Sequence, residues 1–239
     1  MLWLLLTGCV DDAAIADEME RGLSTANEAV IASLAAAEVF RWAGLPPTTT
    51  LRHADGCGCP CREAPAGAEG TLLLLDYAEL GCFPDSDLLP FPLRGHIELT
   101  LDGDQADAAL QEMLLDRRID IQGDARATEL TPTTAFLHTT LTIGPMATTT
   151  AISVAHDDDS VWFEGVVTTS SGRATLDGVR IPLSDVFGPC PVPSEGRIVV
   201  DGADDDVIVR PVGDQQVEAD HRDRVSDRVG WCAYAPTFW

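Results

Sequence analysis

The sequence predicts a mainly β protein, an antiparallel sandwich or partly open barrel with one N-terminal amphipathic helix. Three observations carry that expectation. From Thr71 onward, apolar and polar residues alternate in short runs, the period of half-buried strands. Asp102-Gly103, Asp177-Gly178 and Asp201-Gly202 punctuate those runs, and Asp-Gly is a strong hairpin signal. One long stretch near the N-terminus repeats at helical spacing instead. With 239 residues, 45% of them hydrophobic, the chain can bury one sizeable core, and general disorder is not expected.

In chain order, the first feature is an apolar run, Leu2 to Leu6, followed by Thr7, Gly8 and Cys9. An apolar run closed by small residues has the order of a secretory signal and its processing site. A buried N-terminal strand is the competing reading, but Asp11, Asp12, Asp17, Glu18 and Glu20 follow at once and oppose it. Leu6-Thr7-Gly8-Cys9 resembles the lipobox of bacterial lipoproteins, and Tyr77 to Gly103 is similar to β-rich lipoproteins of unknown function. The resemblance implies cleavage before Cys9 and acylation of its thiol and new amino terminus. Residues 1–8 are then a signal remnant, and the mature chain is lipid-anchored in the bacterial cell envelope, at the outer membrane or the cell surface. Stable anchoring needs more than one acyl chain, which the lipoprotein pattern would supply. No later stretch approaches the roughly 20 apolar residues of a spanning helix.

Residues 9–22 are acidic and Ala-rich and read as a tether, leaving 23–239 as a single β-rich domain. Thr25-Ala26-Asn27-Glu28 has the form of a capping box, which predicts a helix over 25–43. Val30, Ile31, Leu34, Ala35, Val39 and Trp42 share one half of its wheel, so the helix is expected to be amphipathic. Glu38 falls inside that stripe and reads as a carboxylate at its edge. Gly44-Leu45-Pro46-Pro47 stops the helix. Residues 48–70 form a Cys-rich loop, and 71–239 a β meander.

Within the meander, His96 to Leu101, Arg118 to Gln122, and the sets Leu137/Thr139/Leu141/Ile143 and Ile152/Val154/His156 each alternate. Val161, Phe163, Gly165 and Val167 follow the Asp157-Asp158-Asp159 turn; Val179, Ile181 and Leu183 follow Asp177-Gly178. Ile198 to Val200 and Val207 to Val209 complete the series. Residues 105–117 have helix-favouring composition but lie between meander strands, which favours strand. A short pattern recurs: Gly81-Cys82-Phe83-Pro84 leads to Gly95-His96-Ile97 and Asp102-Gly103, and Cys190-Pro191 to Gly196-Arg197-Ile198 and Asp201-Gly202. It reads either as two related β-halves or as shared hairpin grammar.

Of the seven cysteines, removing a lipidated Cys9 leaves Cys57, Cys59, Cys61, Cys82, Cys190 and Cys232. An even set in an exported protein predicts disulfides. Bridges between cysteines two apart would be strained, so each of the clustered three is expected to pair with one of the distant three. The alternative is zinc on His53, Cys57, Cys59 and Cys61, a Cys₃His ligand set whose spacing departs from paired C-x₂-C. The acidic turns at 157–160 and 201–206 read as solvated turns ahead of calcium loops.

Catalytic signatures are not found: there is no G-x-S-x-G, H-E-x-x-H, Walker loop or G-x-G-x-x-G. All 15 cationic residues are Arg, which removes lysine Schiff-base chemistry. The net charge of −24 argues against nucleic acid as a partner. The sequence therefore predicts no cofactor and no catalytic residue. It points to a membrane-anchored exported lipoprotein acting as a non-enzymatic binding or structural module, its partner a protein or an apolar ligand. The other reading is a carrier of lipid or another apolar ligand in a helix-covered half-barrel.

Overall fold

The computed structural model describes residues 12–41, 52–53, 56–57, 61–63, 72–82, 93–115, 118–157, 159–182, 191–222 and 224–236. Among the described residues a single long helix, α1 (Asp12–Arg41), is followed by strands alone until a 3₁₀ turn at Trp231–Tyr234. β1 (Arg52–His53) and β2 (Gly56–Cys57) make a separate two-stranded hairpin. The main sheet begins at β3 (Cys61–Glu63) and β4 (Leu72–Cys82). It continues through β5 (Leu93–Asp102), β6 (Gln105–Leu115), β7 (Ile119–Thr128) and β8 (Thr134–Ile143). Then come β9 (Met146–His156), β10 (Ser160–Thr169) and β11 (Arg173–Pro182). β12 (Glu195–Val200), β13 (Val207–Gly213) and β14 (Gln216–His221) follow. β15 (Arg224–Val225) and β16 (Val229–Gly230) both pair with β14.

β3 to β16 form one 14-stranded antiparallel sheet in which sequence neighbours from β3 to β15 are sheet neighbours, β16 pairing with β14 instead, and the sheet does not close. A mainly β fold with an N-terminal helix is therefore what the chain adopts. Open sheets of this many strands curl, and here the curl has an object. α1 contacts β6 through β14 and the 3₁₀ turn. The inward residues of the strands, among them Leu137, Leu141, Ile152, Val154, Phe163, Leu176 and Val209, form one core with it. Each such side chain contributes about 1.5–3 kcal/mol on burial. Inward hydroxyls are paired: Thr139 and Thr150 share a hydrogen bond of 2.9 Å across β8 and β9.

Several expectations need correction. Residues 12–22 are not a tether but the first turns of α1, whose bounds are Asp12–Arg41 and not 25–43. Acidic residues near a helix N-terminus are favourable, and Ile15, Met19 and Leu23 on the same stretch are buried in the core. Nor is α1 amphipathic along its second half, where every residue from Thr25 to Phe40 is buried. The half of the wheel opposite the expected stripe carries Ala26, Ala29, Ala32, Ser33, Ala36, Ala37 and Phe40. Small side chains there let neighbouring elements approach closely. Residues 48–70 are not wholly loop, since β1, β2 and β3 lie within them. The meander accordingly starts before residue 71 and gives way to the 3₁₀ turn at Trp231.

Residues 105–115 are strand β6, as their position in the meander suggested. Asp177-Gly178 is not a hairpin turn; β11 runs through it, with a register shift between Asp177 and Arg180. β14 has no Asp-Gly before it. Its hairpin turns at Asp214 and Gln215, both at positive φ (52° and 60°), the geometry of a tight type I′ turn. The recurring Gly95 and Gly196 share a physical reason. Both have positive φ (112° and 86°). A Cβ would lie 2.5 Å from the Glu112 carbonyl oxygen in one case and 2.4 Å from that of Gly178 in the other.

Candidate functional site

Two places on this scaffold can be read chemically: the trough inside the sheet and the outer face of its central strands. The trough is occupied. α1 fills it, and the space left beside its C-terminal half, walled by Ala37, Phe40, Leu137, Val154 and Val161, is about 30 Å³. Polar groups on α1 are tied to the walls. Asn27 donates from Nδ2 to the Trp231 carbonyl at 3.3 Å, and Ser171, in the β10–β11 turn, donates to Glu28 Oε1 at 2.7 Å. Glu28 Oε2 is buried with no partner among the described residues. Glu38 is not at an edge: it is 2% exposed, and the Tyr77 hydroxyl on β4 donates to it at 3.4 Å. These contacts lock the helix in register with both flanks of the sheet.

Of the residues singled out from sequence, Cys9, Cys59 and Cys190 lie outside the described residues. His53 and Cys57 fall on the β1–β2 hairpin, Cys61 on β3, and Cys82 on β4. Cys61 is the cross-strand neighbour of Asp76, and Cys82 of Leu93. Cys232, in the 3₁₀ turn, is disulfide-bonded. Among the described residues no group of three or more His, Cys, Asp or Glu is placed to hold a metal ion. The 3₁₀ turn that carries Cys232 packs on α1. Cys232→Ser is expected to lower stability by about 2–4 kcal/mol. Urea unfolding of the oxidised proteins, wild type against variant, checks this.

The acidic turns are structural in part. Asp157 Oδ1 accepts the backbone N–H groups of Asp159 and Ser160, both at 2.8 Å, and Glu18 Oε1 accepts that of Ala203 at 2.9 Å. His96 and His138 are exposed, as their alternation predicts, whereas His221 is buried with Nδ1 3.2 Å from the Asp206 carbonyl. Among the described residues, no helix is long and apolar enough to cross a membrane.

The outer face of β8 to β11 offers a second geometry. Cross-strand register places Phe136 beside Ser153 and Ser153 beside Glu164. One step along, Ala155 neighbours Trp162, which neighbours Arg180. Phe136, Ser153, Ala155, Trp162 and Glu164 line an open furrow of about 340 Å³, and Arg180 lies beside it. The Arg180 guanidinium lies 5.2 Å from the Trp162 ring centroid and is held there by Ser160 Oγ (2.9 Å) and Glu195 Oε1 (2.8 Å). His138 packs on Phe136, edge to face, with ring centroids 4.7 Å apart. Alternation along the strand places Trp162 opposite Phe163, but the furrow itself needs the register of four strands. No protein-family model matches the chain, and neither a curated protein nor a solved structure matches it.

Proposed function

We propose that this chain is a lipid-anchored, exported lipoprotein of the bacterial cell envelope whose β domain is a non-enzymatic binding or structural module. The observation that carries the domain part of this reading is the filled trough. A carrier keeps a cavity of about 300 to 1,000 Å³ for its ligand; among the described residues the space beside the C-terminal half of α1 is about 30 Å³ and that beside its N-terminal half about 160 Å³. The anchor part rests on the resemblance around Cys9. The start of α1 at Asp12 adds a consequence: only Val10 and Asp11 separate the acylated residue from the first helical turn. An anchored domain would therefore sit close to the bilayer instead of swinging on a long tether.

The test is expression with the native upstream sequence, comparing wild type with Cys9→Ser. Wild type is expected in the detergent phase and Cys9→Ser in the aqueous phase; equal partitioning of the two would overturn the anchor. Native mass spectrometry of the Cys9→Ser protein addresses the domain. A bare protein mass supports the module, and a reproducible co-purifying lipid would replace it with the carrier.

A further inference from the structure

The furrow on the outer face combines aromatic rings with carboxylates. Its floor is small, Ser153 and Ala155 on β9, and its banks are the half-buried rings of Phe136 and Trp162. Two carboxylates line it, Glu129 and Glu164. Glu129 holds a positive φ of 55°, rare for a residue with a side chain, and lines the furrow from the start of the β7–β8 connection. Neither carboxylate makes a hydrogen bond or ion pair with a described residue. Nearby carboxylates differ: Glu195 is paired with Arg180, and Asp177 with Arg197. Gly178 also lines the furrow, and a Cβ there would meet nothing within 4 Å, so the rim is open.

We propose that this furrow binds the ammonium or guanidinium groups of an extended basic segment of a partner protein. Aromatic faces attract cations, and Arg180 over Trp162 shows one already seated against this surface. Its charge is met by Glu195 at 2.8 Å, which leaves Glu129 and Glu164 to a ligand. Carboxylates form their strongest hydrogen bonds with such donors. A net charge of −24 steers cations toward the protein and repels anions. The chain has no Lys of its own to compete for the site. The inference names a ligand for the module proposed above and rests on that reading. The test omits the anchor, so failure here leaves the Cys9 result untouched.

The experiment uses the full-length Cys9→Ser protein, oxidised, titrated calorimetrically with an acetylated, amidated tetra-arginine peptide in about 150 mM salt, where long-range attraction is screened. Saturable one-to-one binding is expected, weakened at least about tenfold by Glu129→Gln with Glu164→Gln. Asp204→Asn with Asp205→Asn makes the same change of charge in an exposed loop and is expected to leave affinity within about twofold. Gly178→Asn, which suits positive φ, is expected to obstruct the furrow and weaken binding similarly. Equal losses in both double variants, or no saturable binding, would overturn the proposal. Tighter binding of spermidine than of the peptide would overturn its assignment to a protein segment.

Discussion

Trp231→Ala is expected to lower the stability of the fold by about 3–5 kcal/mol, the range for emptying a large aromatic site in a core. Trp231 is fully buried and closes the fold from its C-terminal end. Its Nε1–H donates to the Pro191 carbonyl at 2.6 Å, its own carbonyl accepts from Asn27 on α1, and its backbone N–H donates to the Gln215 carbonyl at 3.0 Å. Truncation leaves a cavity beside α1 and an unpaired buried carbonyl at Pro191, itself a cost of about 1–3 kcal/mol. Trp231→Phe separates the two effects, since it keeps most of the volume and loses the donor; about 1–2 kcal/mol is expected for it. Equilibrium urea unfolding is the measurement, with the midpoint falling and the slope unchanged. A loss below about 1 kcal/mol for Trp231→Ala would show that the 3₁₀ turn only rests on the core.

Most strands of the meander were legible because they carry a local signal; β6, helix-favouring in composition, was legible only from its position, and β1, β2 and β3, read as loop, were not. Leu137/Leu141/Ile143 and Ile152/Val154 are buried, and their neighbours point out. A half-buried sheet imposes that period on any sequence that forms it. Turns were legible where Asp-Gly marks them and not where Asp214-Gln215 adopts the same left-handed geometry without glycine. Asp177-Gly178 misled for the complementary reason, because a bulge needs the same backbone freedom as a turn. For α1, the acidic residues of the first turns masked a helical spacing that Ile15, Met19, Leu23, Ala26 and Val30 carry throughout. Its enclosure also had a sign in the sequence: between Ala29 and Ala37 there is no charged residue. The expected stripe, centred on large apolar residues with Ala35 its one alanine, left the alanines on the opposite half of the wheel uncounted as buried surface.

The outer furrow was not legible, and the reason is topological. Trp162 and Glu164 are two apart on β10 and share a face by alternation alone, but Glu129, Phe136 and Ser153 come from a separate connection and two other strands, and no spacing along the chain links those to them. They meet because the meander stacks β8, β9 and β10 in a register that only the full ladder fixes. The furrow and the filled trough are two outcomes of one cause. Curling the sheet around α1 consumes its inner face, so any recognition by β8 to β11 has to use the outer one. There the exposed side chains are otherwise dominated by Thr, Asp, Glu and Arg.

Enclosure of α1 on every side has a sharp consequence for charge. Ala26→Asp and Ala35→Asp, which lie on opposite sides of the helix, are each expected to destabilise the protein by more than about 4 kcal/mol. In a surface helix with one buried stripe, one of the two would face water and be tolerated. Here Ala26 is 0% and Ala35 4% exposed, so either carboxylate would enter a packed core with no cation designed to meet it. Ala16→Asp is the control, since Ala16 is exposed near the N-terminus of the same helix. The helix dipole favours an acid there, and a change within about 1 kcal/mol is expected. If the two core variants do not fold at all, Ala26→Ser and Ala35→Ser give the graded version, at about 1–3 kcal/mol each. Urea unfolding ranks the set. Tolerance of either core aspartate, with stability near that of Ala16→Asp, would mean that one side of α1 opens to water in solution, and the trough would again be available to a ligand.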